Sequence, residues 1–234
     1  MNQTESITIL SGIYPPDMGG PARFALTFSG WLQQQNIQDI HVISYTNDNK
    51  TINKIKNITV SLVSRKYRLL KRYTIVICQI ISINSNNNLV LANGMFLEVL
   101  IAKILKPKIK YVAKVPGDIV WERSRNMGRT HLSINDFQKS RLHIRDYVQR
   151  IFFTLSLRMA YKVIVPSIEL SEMCIYWGVN PNKITVIGNA VDENHFKPLD
   201  LNKEIDILFV GRLVSWKNID TLIKVAQDLQ MKLD

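Results

Sequence analysis

Short apolar runs alternate along this chain with segments whose apolar residues recur at helical spacing, and that alternation limits what it can fold into. Residues 7–10, 40–45, 58–63, 89–92, 110–115, 163–165 and 184–187 read as strands. Between them, Pro21 fits the first position of a helix because it lacks an N–H. Phe24, Phe28, Trp31 and Leu32 then recur at i, i+4, i+7 and i+8, which predicts a buried helical stripe. Further helices are expected over 67–82, 95–105, 135–159 as one long element, and from a Ser167 cap to Trp177, ended by Gly178. Residues 86–88 read as a turn, 198–204 as a polar linker, 207–210 as a new strand and 218–229 as a new helix. Near-continuous apolar strands alternating with helices predict an α/β fold, a Rossmann-like parallel sheet with helices on both faces. The expected domains are 1–198 and 199–234, the second being the start of another Rossmann-like unit.

Composition removes other classes. The 234 residues are 46% hydrophobic, so a core is affordable and disorder is not expected. Cys78 and Cys174 are too few and too far apart for a disulfide-stapled module, which fits a reducing compartment. No apolar run reaches the roughly 18–20 residues of a spanning helix, and the start of the chain lacks a signal-peptide pattern. A cytoplasmic protein is expected.

The formal charge of +11 is uneven: residues 54–158 hold 20 of the 30 Lys and Arg but only 5 of the 19 Asp and Glu. Within that stretch Arg65, Lys66, Arg68, Lys71 and Arg72 interleave with Tyr67 and Tyr73, a pattern suited to an anionic membrane surface. Each such cation contributes on the order of 1 kcal/mol at an anionic leaflet. A solvated basic surface explains the same cluster. No motif of a specific nucleic-acid binder is present.

In parallel sheets ligands sit beyond the carboxyl ends of the strands. One strand-end loop carries Gly19 and Gly20 against a helix start, where backbone amides and the positive dipole end favour a phosphate; a tight helix entry needs the same glycines. Another, 211–217, offers Arg212 and Lys217, a fork and a point charge for phosphate oxygens. In a third, Asp118 and Glu122 flank Trp121. Carboxylates and an indole face suit sugar hydroxyls and C–H surfaces, and either acid serves as a base if its pKa rises. Asp118 reads equally as a cap of the next element. Neither a dinucleotide fingerprint nor a P-loop occurs, and the four histidines show no metal-ligand spacing.

Together, YPPDMGGPARF, GDIVWER, VIVPSIELSEMCIYWGVNPNKITVIGNAVDENHF and FVGRLVSWKNIDTLI resemble glycosyltransferase family 4 enzymes of the GT-B fold, from Ile7 to the end of the chain. The resemblance implies an acceptor-side N-terminal domain and the first strand and helix of a nucleotide-sugar donor domain. It also implies transfer with retention of anomeric configuration, without a bound metal. The co-substrate would be a UDP- or GDP-linked sugar and the partner a glycan or lipid-linked acceptor for the cell envelope, met at the inner membrane face. Residue by residue, Gly19 and Gly20 match the loop touching the donor diphosphate, and Arg212 and Lys217 match the basic pair that neutralises it. Asn189 lies in the segment beside the donor. Asp118 stands where many relatives carry a histidine, in a G-D-x-x-W-E pattern, and with Glu122 is the catalytic expectation. Trp121 and Asn93, at the end of the 89–92 strand, are the acceptor contacts. The paired glutamates that grip the donor in this family lie beyond Asp234, so a truncated chain, or a non-catalytic binding module, is expected as the alternative.

Overall fold

A computed structural model describes residues 6–49, 51–83, 88–191, 193, 196–197, 206–211, 213–214 and 217–229. It divides into two compact units, Met1–Gly117 with Val148–Gly188, and Asp118–Tyr147 with Asn189–Asp234. The domain boundary expected at 198 lies outside the described residues.

The first unit holds the sheet. Its strands are β1 (Ser6–Ser11), β2 (Asp39–Thr46), β3 (Thr51–Ile55), β4 (Ile58–Ser64), β5 (Asn88–Asn93), β6 (Lys110–Lys114), β7 (Lys162–Val165) and β8 (Ile184–Val186). They lie in the order β3-β4-β2-β1-β5-β6-β7-β8, parallel except for β3 against β4. The central strands β1 and β5 are buried almost throughout, whereas β6 and β7 alternate. That gradient is why the first group reads as continuous apolar runs.

Helices α1 (Gly20–Gln34), α2 (Leu69–Ile83), α3 (Phe96–Leu105) and α7 (Ile168–Tyr176) connect these strands. The β1–α1–β2 crossover steps one way across the sheet, while those through α2, α3 and α7 step the other way. Right-handed crossovers therefore put α1 on one face and the others on the opposite face. The reversal falls between β1 and β5, so the loops after these strands open at a topological switch point. Ile9, Leu10, Ile40, Val42, Val63, Ile80, Leu100 and Tyr111 form the core.

Three expectations need correction and one strand goes beyond them. On α1 the buried residues are Ala22, Ala25, Ser29 and Leu32. Small side chains let that strip lie close against β1 and β2. Of the expected stripe, Leu32 is buried and Phe28 packs at the edge of the core, while Trp31 is exposed; Phe24, Phe28 and Trp31 stack on one another at 5.2 and 5.7 Å. Strand β3 was not anticipated; it returns through Lys56 in a left-handed conformation, φ 54°, a hairpin without the usual glycine. The single helix over 135–159 is two, α5 (Ile134–Lys139) and α6 (Ile144–Met159), because Ser140 folds back onto the Phe137 carbonyl and His143 Nδ1 accepts from the Arg145 amide. Residues 207–210 form no strand beyond one bridged residue, Ile207, and Leu208 and Val210 are exposed.

The second unit contains α4 (Ile119–Asn126), α5, the first turn of α6 and α8 (Ile219–Asp228). Arg129 ties it together by pairing with Asp146 of the α6 first turn, which also accepts from Ser124 Oγ at 2.8 Å. Burial alone would raise the Asp146 carboxyl, but these hydrogen bonds hold it below the ordinary value of 3.8.

Candidate functional site

Ser11 and Asn93 end β1 and β5 side by side at the switch point. Both reach the first turn of α1: Asn93 Nδ2 donates to the Pro21 carbonyl at 3.3 Å, and Ser11 Oγ, whose proton goes to the Ile13 carbonyl, lies 3.4 Å from the same Pro21 oxygen. Asn93 is buried and fixes where α1 begins. Gly94 has φ +131°, and a Cβ there would lie 3.0 Å from the Gly12 amide nitrogen, so the two switch-point loops approach backbone to backbone.

The diglycine segment emerges from this frame. Gly19 caps α1 at φ 152°, and a Cβ on it would sit 2.8 Å from Ile13 Cδ1. With no side chain at the cap and no acid in the first turn, α1 supplies nothing of its own to neutralise its positive end. Gly19 and Gly20 are exposed, and a Cβ on Gly20 would meet nothing within 4 Å. The backbone is therefore approachable by an anion.

A cation on this face, passed over by sequence reasoning, is Lys114 at the end of β6. Its ammonium lies 4.7 Å from the Phe24 ring centre, and burial holds its pKa below the ordinary lysine range. The visible signal was its place as the last residue of an alternating strand.

The basic segment splits. Lys66, Arg68 and Lys71 are exposed, beside Leu69 and Leu70, the latter 81% exposed. Arg65 and Arg72, expected on the same outer surface, turn inward. Arg72 lies 4.9 Å over the Tyr45 ring, whose hydroxyl donates to buried Glu98. Burial and the Glu98 charge push the Tyr45 hydroxyl well above the ordinary tyrosine range. Arg65 Nη1 donates to Asp17 Oδ2 at 2.9 Å and to Asn47 Oδ1 at 3.1 Å, and Nη2 donates to the Gly12 carbonyl at 2.9 Å.

In the second unit Asp118 is the cap of α4. Its Oδ1 accepts from the Val120 and Trp121 amides at 3.0 and 3.2 Å, and Oδ2 accepts from Gln138 Nε2 at 2.9 Å. The carboxylate is 1% exposed. Glu122 sits one turn on, half-buried. Trp121 donates from Nε1 to the Leu132 carbonyl at 3.1 Å, and the Arg125 guanidinium lies 5.9 Å over its ring. Asn189 is exposed. Lys217 is exposed, just before the Asn218 cap of α8. Arg212 lies outside the described residues. Among the described residues no group of three His, Cys, Asp or Glu side chains is placed to hold a metal ion, and no helix is long and apolar enough to cross a membrane.

No protein-family profile matches this chain, and no curated protein matches it by sequence. Solved structures do. Sucrose-phosphate synthase from Thermosynechococcus elongatus superposes with a TM-score of 0.68 at 13% identity, over 98% of this chain and 61% of that one. The lipopolysaccharide outer core galactosyltransferase WaaB, in its apo form, gives 0.53 at 15% identity, over 93% and 57%. Anabaena HepE in complex with UDP and glucose gives 0.52 at 17% identity, over 84% and 47%. This chain has the Rossmann-like fold found in GT-B glycosyltransferases. It spans about half to three fifths of the length of these structures.

Proposed function

We propose that the chain belongs to a retaining glycosyltransferase of the family 4 type. It would transfer a sugar from a UDP- or GDP-linked donor to a glycan or lipid-linked acceptor in cell-envelope polysaccharide or glycoconjugate synthesis. The observation that carries this reading is the uncapped, glycine-lined start of α1 at the switch point of a fold shared with HepE, itself bound to UDP and glucose.

In this reading the sheet unit is the acceptor side, and the amides at Gly19 and Gly20 receive the donor diphosphate. Arg212 and Lys217 neutralise the charge that builds on that diphosphate as the glycosidic bond breaks, which lowers the barrier electrostatically. Asn189 lies beside the donor. Trp121 and Asn93 serve the acceptor, Trp121 by contact and Asn93 indirectly, by holding the start of α1. Asp118 and Glu122 are the acid–base pair, with Asp118 also serving as the helix cap. Lys66, Arg68 and Lys71, with Leu69 and Leu70, meet an anionic membrane at the cytoplasmic face.

The test is donor turnover. The chain should release UDP or GDP slowly from the corresponding donor sugar, and Arg212→Ala with Lys217→Ala should abolish that release; full activity in the double variant contradicts the assignment. A second reading, a non-catalytic acceptor- or membrane-binding module, is favoured by the exposed Leu70 among basic residues. It predicts flotation with anionic but not neutral liposomes and no nucleotide release.

A further inference from the structure

Arg65 is the one residue of the basic segment that reaches back into the loop preceding α1, and it does so at both ends of that loop. At the start it takes the Gly12 carbonyl; near the end it takes Asp17, two residues before Gly19. Asn47, just beyond β2, completes the set. Inside the loop Ser11 Oγ donates to the Ile13 carbonyl at 2.7 Å and the Asp17 amide to the Tyr14 carbonyl at 3.0 Å. Its conformation is held by that turn, the Ser11 hydroxyl, the packing of Tyr14 against the core and the Arg65 guanidinium.

The charge at Asp17 matters as much as the shape. A carboxylate two residues from an anion-accepting helix start opposes binding by like-charge repulsion, and the positive helix end draws it toward the site. Arg65 and Asp17 are each about a quarter exposed, with side chains 27% accessible, so the pair is screened less than one on the open surface.

We propose that Arg65 is the positioning residue of the diglycine loop: it clamps the Gly12 carbonyl and draws the Asp17 carboxylate aside, keeping the Gly19 and Gly20 amides open to a diphosphate. This rests on the diphosphate reading of that loop given above. A lysine keeps the charge but cannot span three acceptors with a rigid fork.

Inorganic pyrophosphate, titrated into the intact chain and followed at the Gly19 and Gly20 amide resonances, tests it. The wild type should show saturable shifts there. Arg65→Met should weaken binding about tenfold, as expected for losing charge-assisted hydrogen bonds that hold the loop. Adding Asp17→Asn should recover most of that loss, which a merely structural Arg65 would not permit. Arg65→Lys, a milder change should the Met variant not fold, should lose about threefold. Wild-type binding with unchanged affinity in Arg65→Lys and Arg65→Met overturns the role of Arg65 alone, as does a loss that Asp17→Asn leaves unrepaired. No shift at these amides in the wild type overturns the diphosphate reading as well.

Discussion

Two helices of this protein begin in opposite ways. At α1 the cap is Gly19, the first turn has no acid, and Gly19 and Gly20 are exposed. At α4 the cap is Asp118, a buried carboxylate already committed to two amides and to Gln138. Both stretches attract attention as ligand loops in the sequence, because Gly-Gly and Asp-x-x-Trp-Glu are equally at home around substrates. The structure separates them by what is left unfilled. An open helix start retains a partial positive charge for a ligand; a capped one has spent it on its own side chain.

That contrast is sharpened first by the region around α4, where the largest energetic effect is expected. Arg129→Met leaves buried Asp146 without its cation, and should destabilise by about 3–5 kcal/mol in denaturant unfolding. The Asp146 pKa is depressed in the folded state, so its contribution is fully present above the ordinary value of 3.8. It fades as pH falls through the lower folded value, and the gap between wild type and Asp146→Asn should close only in that acid range. Diphosphate affinity at α1 should not change.

A medium effect is expected at α1. Gly20→Glu places a carboxylate at the open helix start with room for its Cβ. It should leave the melting temperature unchanged or slightly raised while weakening pyrophosphate binding by at least about tenfold, equivalent to about 1.4 kcal/mol. Retained affinity would mean that the ligand sits elsewhere. The smallest effect is at the α4 cap: Asp118→Ala should cost about 1 kcal/mol of stability, seen as a modest fall in melting temperature. Asp118→Asn, which keeps two acceptor pairs on one oxygen, should cost less. As a member of the proposed acid–base pair, Asp118→Asn should nevertheless lose most donor turnover with stability kept; retained turnover would leave that carboxylate as the cap alone.

The sheet was legible because burial on both faces forces apolar runs, and β1, β2, β4 and β5 are buried enough to show them. Edges were not. β3 is a short polar strand whose turn uses Lys56 and Asn57, and its existence depends on β4 offering a ladder. The α1 stripe was misread because period alone cannot distinguish a face that packs through Ala22, Ala25 and Ser29 from the aromatic face beside it. The break in 135–159 falls at Ser140, whose hydroxyl turns back to the Phe137 carbonyl; the Ser133-x-x-Asp136 pair marks only the start of α5, with the Ser133 hydroxyl accepting from the Asp136 amide at 3.2 Å. In the candidate site the glycines were visible as a motif, but Arg65 was not. Its three acceptors come from the ends of β1 and β2 and from the loop between β1 and α1, residues 18 to 53 positions away, and only the strand order brings them together.

The most direct measurement is a crystal structure of the chain with UDP bound. A phosphate oxygen should lie about 2.7–3.2 Å from the Gly20 amide nitrogen, with Arg65 still joined to Gly12 and Asp17. A nucleotide whose diphosphate lies on the exposed lysines of the α2 end, or anywhere out of hydrogen-bonding reach of Gly19 and Gly20, contradicts it.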